Sequence, residues 1–182
     1  DDLVGEVMVP ALAAAKQVAS VLAVVSLERL EAAFPRAEHV LRVMPNVGVE
    51  VRRGVLCIAG SLSEEARAKL RLLGHVVEIP DEDFDEATAI MGCAPAYLAL
   101  AVEALADAGA QAGFDPELAR ELVVETTAGT AELLRHRHPT DVRKAVTSPG
   151  GSTEAGLEAL DREGARSAFK AAVDASLERM RG

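Results

Sequence analysis

Apolar and polar positions fall into short alternating blocks over the first eighty residues. KQVASVLAVV, residues 16–25, is short, apolar and β-branched, which predicts a strand buried on both faces. In SLERLEAAFP, Ser26 stands where an N-cap belongs, Leu27, Leu30 and Phe34 recur at helical spacing, and Pro35 follows the stop; a short helix is predicted. HVLRVMPN and GVLCIAGS read as two more strands, SEEARAKLRLLG as a helix capped at Ser63 and ended by Gly74, and HVVEIP as a last strand. Strands alternating with helices as far as Pro80 predict an open α/β sheet.

Beyond Pro80 the pattern turns wholly helical. DEDFDEATAIMG opens with acids that suit a helix N-terminus. PAYLALAVEALADAGAQAG has Pro95 near its first turn and Gly113 at its end, and DPELARELVVETTAGTAELLRHR starts on Asp115 as cap with Pro116 at the first helical position. Residues 153–181 hold two further helices with a break at Gly164. The expected organisation is an α/β sheet domain over residues 1–80 and an all-helical domain over 81–182. Alanine is dense in these helices and their apolar stripes are broad, so a homodimer or larger homo-oligomer is expected to cover them.

Composition narrows the function classes. Hydrophobic residues make up 49% of the 182 and aromatics only 3%, so the core rests on Ala, Val and Leu. A formal charge of −10 argues against a nucleic-acid partner. The reading finds neither a run of about 18 apolar residues nor a basic-then-apolar leader, and a cytoplasmic protein without a membrane partner is expected. Cys57 and Cys93 lack any CxxC spacing and read as reduced thiols. The chain opens Asp1-Asp2-Leu3, with no Met and as if in mid-helix, which reads as part of a longer protein.

One turn stands out chemically. TSPGGSTEAGL, residues 147–157, places Gly150 and Gly151 ahead of Ser152 and Thr153 at a helix start. A hydroxyl there is usually a cap for orphan N–H groups. Bare glycines before it also let an anion approach the helix N-terminus. From the residues alone both readings stand.

Three motifs in order, RVMPN (42–46), GCAPAYLALAVEALADAG (92–109) and TSPGGSTEAGLEAL (147–160), resemble pyrroline-5-carboxylate reductase. The resemblance implies the latter part of a Rossmann-like nucleotide-binding domain, then a helical dimerisation and substrate-binding domain. It also implies NAD(P)H-dependent reduction of 1-pyrroline-5-carboxylate to L-proline, or of a related cyclic imine. The alternative is a non-catalytic paralogue or dimerisation module that keeps the scaffold. Ser148, Gly151, Ser152 and Thr153 match the family's substrate turn: the Ser148 hydroxyl and the N–H groups of Ser152 and Thr153 for the carboxylate, and the Thr153 hydroxyl, in the catalytic role, for the ring nitrogen. Pro45 and Asn46 match the cofactor border; read alone, Pro-Asn is a turn. No metal is expected, since His136 and His138 lie two apart and share no helix face. Tyr97 reads as a core aromatic with its hydroxyl satisfied.

No two of the fourteen glycines have a single residue between them, as a GxGxxG turn requires, so NADP or NAD is expected to bind poorly to this chain by itself; the sequence does not choose between them. The family usually reads Ser-Gly-Ser-Gly-Pro-Ala-Tyr where this chain has Met91-Gly92-Cys93-Ala94-Pro95-Ala96-Tyr97, and Met-Pro-Asn-Thr-Pro where it has Met44-Pro45-Asn46-Val47-Gly48. Met91, Cys93 and Ala94 bear on which cyclic imine is taken.

Overall fold

The computed structural model describes residues 8–23 and 25–181. Near the start of the chain, where a helix is expected, the described residues hold a short one, α1 (Val9–Leu12); residues 1–7 lie outside the described residues. The first compact unit comprises residues 8–95 with 173–181, and the second residues 96–172.

The first unit is a four-stranded sheet in the order β1 (Gln17–Ser20), β2 (His39–Pro45), β3 (Gly54–Gly60), β4 (Gly74–Glu78). The pairs β1/β2 and β3/β4 are parallel and β2/β3 is antiparallel. Only residues 46–53 connect β2 to β3, fewer than the dozen or so a parallel crossover requires, so the mixed sheet follows from loop length. Successive residues of β2 serve opposite faces. Val40 joins Val18 of β1, Leu30 of α2 (Leu27–Ala33) and Phe34 just after that helix, while Leu41 and Val43 join Leu56 and Ile58 of β3, with Leu70 of α3 (Glu64–Arg71) packed against them. One helix thus covers each face, as the alternating blocks predict. The capping residues are also those expected: the Ser26 hydroxyl accepts the N–H of Arg29, and that of Ser63 accepts the N–H of Ala66.

The strand expected over 16–25 is shorter than the apolar block. Past Ser20 the chain leaves the sheet, and the buried Ser20 hydroxyl accepts the N–H of Leu22 at 3.3 Å. The segment after Pro80 begins with a tight turn over Asp81–Asp83, continues as α4 (Phe84–Ala87), and widens into a single π-turn over Thr88–Gly92. The last turns of the final helix, α9 (Ala165–Arg181), belong to this unit, where Arg181 pairs with Glu86.

The second unit contains most of α5 (Ala94–Gln111), all of α6 (Pro116–Leu134), α7 (Pro139–Ala145) and α8 (Ser152–Arg162), and the start of α9. Asp115 caps α6 through the N–H groups of Glu117 and Leu118. A Cβ on Gly109 would stand 3.2 Å from that of Ala119, so small residues let α5 and α6 approach closely. α7 is a helix that the hydrophobic pattern does not announce; His138 Nδ1 accepts the N–H of Thr140 and opens it.

These helices bury little. α5 has no buried residue and α6 only Ala119, while Leu98, Leu100 and Leu105 are each at least 60% exposed. The sequence reading of no apolar run long enough to span a membrane needs correcting here. The helical run Asp81–Gln111 holds an 18-residue window of mean hydropathy 1.7, 11% buried. Counting uninterrupted apolar residues missed it because Glu103 and Asp107 interrupt the run.

Gly74 begins β4 with φ +153°, and a Cβ there would come within 2.0 Å of the Gly54 carbonyl oxygen. Gly74→Ala should therefore destabilise the chain by about 2–4 kcal/mol. Urea denaturation measures this; an unchanged midpoint and slope would contradict the tight β3/β4 start.

Candidate functional site

The candidate residues form two groups, one in each unit. In the first, β2 ends at Pro45 and Asn46 follows. The Asn46 side chain is engaged on both ends. Its oxygen accepts the N–H of Gly48 at 3.2 Å and of Val55 at 3.1 Å, and its nitrogen donates to the Met91 carbonyl at 3.1 Å. The first bond is the turn reading of Pro-Asn. The others tie the start of β3 and the π-turn to the end of β2, so one amide links the RVMPN and GCAPAY segments. Only the backbone of Met91 takes part, which explains how this link tolerates methionine where the family usually has serine. Single π-turns in helices occur frequently at functional positions.

Pro45 and Asn46 stand at the carboxyl end of β2, the edge where open α/β sheets receive ligands. The Asn46 amide retains one N–H for an additional partner. For the pyrophosphate of a dinucleotide, no strand-GxGxxG-helix turn exists among the described residues. The thiols are reduced: Cys57 is buried, and its burial pushes the thiol up from its ordinary value, while Cys93 is half-buried just before α5. The Cys57 thiol is therefore not activated.

In the second unit, α7 delivers the chain into the turn at 147–151. Thr147 bonds back to the Arg143 carbonyl at 2.7 Å, and Gly150 takes the left-handed φ of +71°. The cap question now has a geometric answer. The N-cap of α8 is Gly151, which has no side chain to offer, and helix residues begin at Ser152. The hydroxyls of Ser148, Ser152 and Thr153 have no hydrogen-bond partner among the described residues. The first bond closing on the helix runs from the Ala155 N–H to the Gly151 carbonyl at 3.2 Å. The N–H groups of Ser152, Thr153 and Glu154 thus precede the first closed turn, as at any helix start.

Gly151 is glycine for a local reason. A Cβ there would lie 2.5 Å from the Ser148 hydroxyl oxygen, so only a bare residue leaves that hydroxyl over the helix mouth. Sequence reasoning passed over Glu154, whose carboxylate accepts the N–H of Gly150 at 2.6 Å. Its place three residues into a helix that opens with glycine was the available signal, because acids there reach back to free N–H groups. The turn therefore gathers Ser148, Gly151, Ser152 and Thr153 at one helix N-terminus, with Glu154 fixing the peptide before it. Of the other candidates, Tyr97 is half-buried and donates its hydroxyl to the Ala172 carbonyl at 3.3 Å. His138 is spent as a cap, and His136 lies 3.8 Å from Glu132.

Comparison with known proteins identifies relatives of the chain. The sequence family described as pyrroline-5-carboxylate reductase dimerisation matches residues 81–182. The chain is similar to the pyrroline-5-carboxylate reductase of Synechocystis, with 42% identity over 171 residues that cover 89% of this chain and 63% of that protein. It is also similar to that of Mycobacterium leprae, with 35% identity over 96% of this chain and 68% of the relative. Among solved structures, Plasmodium falciparum pyrroline carboxylate reductase with NADP bound superposes with a TM-score of 0.85 at 28% identity, over 98% of this chain and 76% of that one. The Streptococcus pyogenes enzyme gives 0.84 at 32%, over 98% and 71%. The chain thus spans less than two thirds of the Synechocystis protein it matches.

Since the Thr153 hydroxyl bonds nothing among the described residues, Thr153→Ala should cost less than about 0.5 kcal/mol of stability. A loss near 1 kcal/mol in urea denaturation, the usual cost of a missing cap, would return the hydroxyl to plain architecture.

Proposed function

Because the chain belongs to the pyrroline-5-carboxylate reductase family, we propose that it carries the substrate turn, the dimer-forming helices and the latter part of the nucleotide domain of a reductase acting on a cyclic imine carboxylate. 1-Pyrroline-5-carboxylate is the leading substrate and L-proline its product. The observation that carries this reading is the set of three unpartnered hydroxyls at the N-terminus of α8. A structural cap would have used one of them.

The reduced nicotinamide, when bound, supplies a hydride to the imine carbon. This chain's residues bind and orient. The N–H groups of Ser152 and Thr153, with the Ser148 hydroxyl, receive the substrate carboxylate, favoured by the positive end of the α8 dipole. The Thr153 hydroxyl meets the ring nitrogen, and holding both ends of a small rigid ring fixes which carbon faces the cofactor. A substrate already protonated at nitrogen needs no general acid, and none of the turn residues is one. Pro45 and Asn46 border the cofactor, NADP or NAD.

The partner is a second copy of the chain. The exposed leucines of α5 and an open groove of about 440 Å³ between α5 and α6, lined by Ala99, Val102, Ala106, Ala110 and Val124, present apolar surface in the region that matches the dimerisation family. The same family match favours protein over a bilayer as the cover for the run 81–111, and a cytoplasmic location is consistent with that choice.

Kinetics in a full-length form that adds a complete nucleotide-binding domain test the turn. Thr153→Ala should lower turnover of pyrroline-5-carboxylate by roughly an order of magnitude or more through lost positioning. Gly151→Ala should raise KM by roughly 10- to 100-fold, because it displaces a hydroxyl that meets a charged group. Parent-like kinetics in both variants would contradict the proposed turn, and a parent inactive on every cyclic imine would leave the non-catalytic paralogue.

Sedimentation velocity should find a dimer or larger assembly at micromolar concentration. A stable monomer would refute the proposed partner.

A further inference from the structure

We propose that Arg42 is a positioning residue for the cofactor, acting through the loop that follows β1. The inference rests on the reading above that the cofactor lies at the carboxyl ends of the parallel strands. Arg42 sits opposite Ser20, the last residue of β1, and its side chain is 6% exposed. One arm of the guanidinium, Nη1, donates to Asp81 Oδ1 at 2.7 Å. The other arm, Nη2, donates to the Ala23 carbonyl at 2.7 Å. The group lies 3.9 Å from the centre of the Phe84 ring, and its Nε is buried without a partner.

Neutralising the charge requires only Asp81. The second arm does something else: it grips the main chain of the loop leaving β1, at the sheet edge where ligands of open α/β folds bind. The same loop is held at Leu22 by the Ser20 hydroxyl. Asp81 continues the chain of contacts by accepting the N–H of Leu27, the first residue of α2, at 3.0 Å. Arg42 therefore joins β2, the β1 loop and the segment after Pro80 through one side chain. Its counterpart is Asn46, the residue just past the end of the same strand, which holds the π-turn by the same device of a side chain gripping a main-chain carbonyl. A forked, planar guanidinium suits two acceptors in two directions, whereas a lysine ammonium offers a single point charge.

The test uses the full-length form with its nucleotide-binding domain, and NADPH and NADH are both titrated by nicotinamide fluorescence. Arg42→Lys keeps a cation beside Asp81 and gives up the arm to Ala23. Its Kd for the cofactor that the parent binds should rise roughly fivefold or more, the effect of releasing a preorganised segment. KM for the cyclic imine at saturating cofactor should stay at the parent value. Asp81→Asn keeps an acceptor for Nη1 and leaves the Ala23 arm in place; it should melt earlier yet bind cofactor as the parent does. Hydrogen exchange at Leu22 and Ala23 should quicken in Arg42→Lys and not in Asp81→Asn. A parent-like Kd in Arg42→Lys overturns the inference. So does equal weakening in both variants, which would make the pair a stabilising contact alone. A parent that binds neither nucleotide overturns the reading of function, and this inference with it; a parent that binds while Arg42→Lys binds equally well overturns this inference alone.

Discussion

A nearly buried guanidinium has to be met by acceptors, and the way Arg42 is met organises the first unit. Its charge is answered by Asp81 and its second arm by the Ala23 carbonyl. Removing one member of a buried pair typically costs about 3–5 kcal/mol, because the survivor stays desolvated and unpaired. Asp81 is 27% exposed in its side chain, which lowers that figure for Arg42 loss while leaving the direction unchanged. The segment after Pro80 is held to the sheet edge by this pair and by Phe84, which is 2% exposed beneath the guanidinium. The π-turn and the first residues of α5 follow directly from that anchored segment.

Much of this was legible in the sequence, and the reasons are local. Ser26, Ser63 and Asp115 read as caps and are caps, because a short hydroxyl or carboxylate ahead of an apolar period has few other uses. The break at Gly164 is equally local, with φ +77° between α8 and α9. What the pattern missed depends on partners distant in sequence or on atypical chemistry. The end of β1 is decided by where Ser20 and Arg42 send their side chains, and no periodicity records that. α7 begins on a histidine acting as cap, a residue outside the usual capping set. The apolar window within 81–111 hides from a count of consecutive residues because charged side chains interrupt the helix.

At the candidate site the sequence supplied residue types, and the structure supplies their state. Reading residues 147–157 alone left cap and cradle open, since both use a hydroxyl at a helix start. The difference lies in which residue becomes the N-cap. That is Gly151, so the hydroxyls of Ser148, Ser152 and Thr153 remain available to a ligand. Glu154 was legible as an acid in the first turn of a helix, but which N–H it takes, that of Gly150, is visible only in the folded turn. The departures at Met91 and Val47 look severe as letters. Asn46 nevertheless keeps its bond to the Met91 carbonyl, which every residue type possesses.

Whether the turn at 148–153 receives a carboxylate, as proposed, can be read by backbone amide NMR of this chain titrated with L-proline, because the readout is residue by residue and needs no cofactor or turnover. Saturable shifts are expected at Ser152 and Thr153, with neighbouring changes at Gly151 and Ser148, and no comparable change along α6. Amides of Ser152 and Thr153 that stay still throughout the titration, or shifts spread evenly over the helices, would contradict it.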